Sequence, residues 1–71
     1  MRLYEYRVIK NAEYDNEGNE TSPPKTLVSG EDHYENPTEA REELIMANAE
    51  VITKAGGIKA VEVLVRPFRA S

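Results

Sequence analysis

Glu31, His33 and Glu35 alternate along the segment GEDHYE. On an extended chain they share one face, and two carboxylates with an imidazole make a formal ligand set for a divalent cation. Three ligands on one short segment, with no fourth in view, fall short of a metal site. The segment therefore reads as a solvated acidic connection into a helix, whose positive start favours nearby acids. His33 is the only histidine and there is no cysteine. That leaves no dyad of histidines, no disulfide and no thiolate metal site. Gly56-Gly57 read as a helix stop and not as a phosphate-cradling loop. No catalytic residue, cofactor-binding residue or metal ligand is assigned, no cofactor is expected, and the chain does not read as an enzyme.

The element around which the rest is organised is the stretch 36–57, NPTEAREELIMANAEVITKAGG. Asn36 is a favoured N-cap and Pro37 falls at the first helical position, where a missing N–H costs nothing. Glu39 stands three residues after the cap, close to a capping box. Lys54 suits the negative helix end, and Gly56 suits the left-handed cap. At helical spacing Ala40, Leu44, Ala47, Val51 and Ala55 form one apolar stripe, flanked by Ile45 and Ile52. One amphipathic helix over 37–55 is predicted, with its stripe facing a sheet.

Three strands supply that sheet. Residues 2–10, RLYEYRVIK, alternate, with Tyr4, Tyr6 and Val8 on one side and Leu3, Glu5, Arg7 and Ile9 on the other. Aromatics on a half-buried strand are read as core, so the tyrosines are placed beneath the helix. Residues 25–29 make a short strand, with Gly30 allowing a bulge or bend. Residues 58–68, IKAVEVLVRPF, make the strongest strand. Val61, Val63 and Val65 face one way, and Ala60, Glu62, Leu64 and Arg66 the other. Pro67 confines this strand to an edge or ends it, because proline donates nothing to a neighbour. Between the first two strands lies 11–24, NAEYDNEGNETSPP, rich in turn residues. It is either a projecting hairpin or a mobile loop, and a solvated loop is the favoured reading. Residues 69–71 read as a frayed tail.

The chain of 71 residues reads as a single small α+β domain spanning 1–71. The first two strands should pair antiparallel, and a right-handed crossover through the helix can set the third on the far side of the first. The expected product is a three-stranded antiparallel sheet of order 2-1-3 with the helix on one face. The other sheet face is then uncovered. Leu3, Ile9 and Leu64 make it more apolar than a solvated face requires, with Arg7 and Arg66 beside them. Those five residues, Leu3, Arg7, Ile9, Leu64 and Arg66, are the candidate partner-binding set. So small a core gains from association, which makes a homodimer one expected use of that face.

The net charge of −4 disfavours general binding to phosphate backbones. Its layout is uneven: 1–10 and 57–71 each carry +2, whereas 11–56 sets eleven acids against Lys25, Arg41 and Lys54, a net −8. The charged opening MRLYEYRVIK lacks the apolar core of a signal peptide, and no run approaches the roughly 18 apolar residues of a membrane span. A cytoplasmic protein with no membrane contact is expected.

The opening MRLYEYRVIK, the PTEAREE start of an alanine-rich helix and the closing VEVLVRPF together resemble small uncharacterised proteins of actinobacterial phages and prophages. Those share a tyrosine-rich first strand, one helix opened by an "EAR"-type segment and a last strand ending in Arg-Pro. The resemblance implies a compact strand–strand–helix–strand accessory protein made inside a bacterial cell, without enzymatic activity. It carries over no functional residues. The expected function is a small protein-binding or regulatory module, such as a phage accessory factor acting on a host protein. Two alternatives stand beside it. One is an acidic nucleic-acid mimic using Glu31, Asp32, Glu39, Glu42, Glu43 and Glu50. The other is a weak nucleic-acid binder, which would need Tyr4 and Tyr6 on the open face.

Overall fold

The computed structural model describes residues 1–69, so the expected tail at 70–71 lies outside the described residues. Strand β1 (Arg2–Lys10) is the centre of the molecule because its alternation gives it two different faces. Tyr4 and Val8 are buried on one side, while Arg7 is exposed on the other. Two short strands follow, β2 (Glu13–Tyr14) and β3 (Glu20–Ser22), then the long β4 (Lys25–Tyr34). Helices α1 (Pro37–Ala47) and α2 (Ala49–Lys54) lead through a 3-10 turn, Ile58–Ala60, into β5 (Val61–Pro67). The main sheet has the order β4-β1-β5, antiparallel at both junctions. This is the α+β arrangement expected from the order of elements.

The core lies between that sheet and the helices. Tyr4, Val8, Val61 and Val63 meet Ala40, Leu44 and Ile52, and Tyr34 joins them from the end of β4. Tyr6 and Val65 are half-buried against the same cluster. Asn36 caps α1 by accepting the Glu39 N–H at 2.8 Å, with Pro37 in the first turn. The Arg41 guanidinium donates to the Val63 carbonyl, tying α1 to the backbone of the edge strand β5.

The helix is not continuous. Asn48 leaves helical geometry at φ −114 and ψ 22. Both its side-chain amide and its backbone N–H donate to the Leu44 carbonyl, at 2.9 and 3.0 Å. Asparagine competes for backbone partners in this way, which makes it a poor interior helix residue. Beyond Leu44 the expected stripe holds at Ala55, which packs against the core with the flanking Ile45, but not at the two positions between. Ala47 is exposed and Val51 is 38% exposed, while Ile52 takes the buried position. Gly56 and Gly57 both have positive φ, +117 and +95, and Gly57 accepts the Ala60 N–H at 3.0 Å. The chain therefore coils through 58–60 before extending, so the last strand begins at Val61 and not at 58.

Two further segments differ from expectation. The acidic run GEDHYE is not a connection: all but Glu35 forms the second half of β4, paired with β1 as far as Arg2↔Tyr34. What extends the strand is Tyr34, buried at 7% exposure with its ring centroid 6.4 Å from that of Tyr4. Charges on the outer strand are tolerated there, because an edge is wet and must resist pairing with strangers. Gly30 is not at a bulge. The register shifts nearer the start of β4, where Val8 opposes Val28 and Ile9 opposes Thr26. Gly30 instead opposes Tyr6, and a Cβ there would lie 2.7 Å from the Tyr6 hydroxyl oxygen.

The segment 11–24 forms an antiparallel hairpin of β2 and β3, in place of the favoured loop. Gly18 donates to the Asp15 carbonyl at 3.1 Å and has φ +83, and Asp15 donates to the Asn19 carbonyl at 2.9 Å. This is a type I turn followed by a left-handed glycine, a common short hairpin closure. The Asp15 carboxylate accepts the backbone N–H groups of Glu17 and Asn19, each at 2.9 Å. The Asn19 contact is the largest cause holding its pKa below the ordinary value.

Burial pushes the Tyr34 phenol above its ordinary value, and the Asp32 carboxylate adds to the shift. A folded-state pKa above the unfolded one means that the folded chain holds its proton longer. The associated stability is complete below the unfolded phenol value of about 10 and is lost as pH rises beyond it. Urea midpoints should therefore fall above about pH 10. In Tyr34→Phe that part of the alkaline decline should disappear. An identical decline in both proteins would show that Tyr34 is not its source.

Candidate interaction surface on the open sheet face

The antiparallel register places directly opposed residues on the same side of the sheet, so the face turned away from the helices can be read row by row. One row carries Glu31, Glu5 and Arg66 across β4, β1 and β5. The next row on that face carries Ser29, Arg7 and Leu64, and the one after it Thr26, Ile9 and Glu62. At the other end His33 opposes Leu3. Phe68, just past β5, continues the ladder by donating its N–H to the Leu3 carbonyl at 3.0 Å. Leu3, Arg7, Ile9, Leu64 and Arg66 are thus brought together on one face. Leu3 and Ile9 are half-buried by neighbours, Arg7 and Arg66 are exposed, and Leu64 is 41% exposed. Ala60 is the exception among the residues assigned to this face, because it sits in the 3-10 turn and not in the strand.

Two contacts order the charges. Arg66 forms an ion pair with Glu5 across the β1–β5 ladder, and Arg7 donates to the Thr26 hydroxyl at 2.8 Å. Between the two rows runs a shallow trough of about 470 Å³, floored by Tyr6, Gly30 and Val65 and flanked by Glu5, Glu31, Arg66, Arg7, Ser29 and Leu64. With Glu5 held by Arg66, the trough offers hydrogen bonding, charge and apolar contact. Its polar groups suit recognition.

Glu31 and His33 belong to this surface but escape the pattern of the sequence, since they depend on β4 running past residue 29, whereas Thr26 and Ser29 fall within the expected strand but share a face only through the register shift between them. The one sequence signal for Glu31 and His33 is their alternation. Glu35 lies beyond the end of β4, and among the described residues no group of three His, Cys, Asp or Glu side chains comes together to hold a metal ion.

No protein-family model matches the sequence, and neither a curated protein nor a solved structure shows a significant match. Among the described residues no helix is long and apolar enough to cross a membrane.

Proposed function

We propose that the chain is a small non-enzymatic binding module that engages a protein through its open sheet face. The phage resemblance would place it inside a bacterial cell as an accessory factor. The observation that carries the reading is that one complete face of the central sheet has no covering element, yet carries Leu3, Ile9 and Leu64 around ordered charges. Protein contacts favour that mixture of apolar anchors and arginine. Three acids (Glu5, Glu31 and Glu62) stand there against Arg7 and Arg66, and Tyr4 and Tyr6 lie on the helix side. Both features favour protein over single-stranded nucleic acid, which calls for aromatics on a basic face.

A photoreactive residue placed at Ser29, and separately at Glu42 on the helix, tests this in the native cell. Discrete protein adducts are expected from Ser29 and not from Glu42. Adding Leu64→Lys should remove them while leaving the circular-dichroism spectrum unchanged, since an unpaired lysine is costly only once the face is covered. Adducts from Glu42 alone would overturn the assignment of the surface.

A further inference from the structure

The charges on the open face are sorted by row. The row of Glu31, Glu5 and Arg66 has one carboxylate in excess, because Arg66 pairs with Glu5 and Glu31 stands beside them. In the next row Arg7 stands between Ser29 and Leu64 and, among the described residues, is bridged to no carboxylate. Tyr6 lies midway between the two, and the trough crosses the sheet at that level. Leu3 and Ile9 sit equally far from Tyr6 in opposite directions along β1.

Along the central strand this layout is self-complementary under one symmetry operation. A two-fold axis lying in the interface, across the strands and above Tyr6, sets Glu5 against Arg7 of a second copy and Arg7 against its Glu5. Leu3 then meets Ile9 of the second copy, and Ile9 its Leu3. Each contact occurs twice, as an isologous interface requires. An axis along the strands would instead oppose Glu5 to Glu5 and Arg7 to Arg7, which is unfavourable. Sheets stacked face to face lie about 10 Å apart and cross at about 30°, so residues next to the axis are displaced least.

We infer that two copies of this chain close face to face across their open sheets, with Glu5 and Arg7 forming reciprocal ion pairs about the two-fold axis. The inference rests on the open face being the binding surface. The exposed helix acids Glu42, Glu43 and Glu50 lie on the covered side of the sheet, away from the contact.

Sedimentation equilibrium over a wide concentration range tests the inference, with circular dichroism confirming that each variant folds. Wild type should approach twice the 8.0 kDa chain mass. Arg7→Glu and Glu5→Arg should each weaken association by more than about tenfold, since each sets like charges together at the axis. The double variant Glu5→Arg/Arg7→Glu should recover association. An equimolar mixture of the two single variants should form a heterodimer that neither forms alone. A folded wild type that remains monomeric overturns the inference. So does a dimer indifferent to Arg7→Glu, or a folded double variant that fails to recover. Monomeric wild type together with Ser29 adducts to a different protein would sink the self-association while leaving the binding-module reading intact.

Discussion

Leu44→Ala will lower the unfolding free energy by about 2–5 kcal/mol, the range for truncating a buried leucine in a packed core. Leu44 is 3% exposed, and it stands in the cluster that joins α1 to the sheet. A chain of this length has a total stability of roughly 4–10 kcal/mol, so the loss brings it close to unfolding. The informative comparison is one turn further along. The expected stripe puts Val51 at its centre and Ile52 on its flank, yet Val51 is 38% exposed and Ile52 is buried at 4%. Ile52→Ala should therefore cost about 2–5 kcal/mol. Val51→Ala and Glu42→Ala should stay within about 0.5 kcal/mol, as exposed substitutions do. Urea unfolding followed by circular dichroism reads all four. A costly Val51→Ala beside a harmless Ile52→Ala would restore the expected stripe.

Gly30→Val will destabilise the protein by about 1–3 kcal/mol, the usual result of forcing extra volume into a filled site. Strand propensity alone argues the opposite, since valine is favoured and glycine disfavoured within a sheet. The Tyr6 ring decides the sign: the hydroxyl oxygen lies 2.7 Å, and the ring carbon that bears it 3.0 Å, from where a Cβ would stand. Shortening Tyr6 should release the conflict. In a Tyr6→Leu background Gly30→Val should become neutral or stabilising, giving a coupling well above about 0.5 kcal/mol in a double-mutant cycle. Additive effects would show that Tyr6 does not need the space above Gly30.

The strand order and both sheet faces could be read from the sequence because period-two alternation is strong in RLYEYRVIK and VEVLVRP, and because one crossover can connect them in few ways. Asn36, Pro37 and Gly56 marked the helix ends through local chemistry that tertiary contacts do not override. The break at Asn48 could not be read the same way. Periodicity registers where apolar residues recur, not where an asparagine side chain adds a second bond to a helix carbonyl. The second half of β4 was hidden for a related reason. Glu31, Asp32 and His33 are ordinary on a wet edge strand, and only the burial of Tyr34 against Tyr4 fixes the length of the pairing. In the hairpin, Asp15 and Gly18 carried the turn signal, but Pro23-Pro24 and the polar run masked the strands on either side. The five residues assigned to the open face needed only β1 and β5, and so they came together. Glu31 and His33 on β4 needed a contact that no local pattern announces.

Methyl NMR with a soluble paramagnetic relaxation agent tests the closure of the open face most directly. As the protein is concentrated, the methyl groups of Leu3, Ile9 and Leu64 should become shielded from the agent together, while those of Met46 and Val51 on the helix side keep their exposure. Arg7→Glu should leave the accessibility of all five unchanged at the same concentration. Shielding of Met46 and Val51 with Leu3, Ile9 and Leu64 still exposed would place the contact on the helices and contradict the closure.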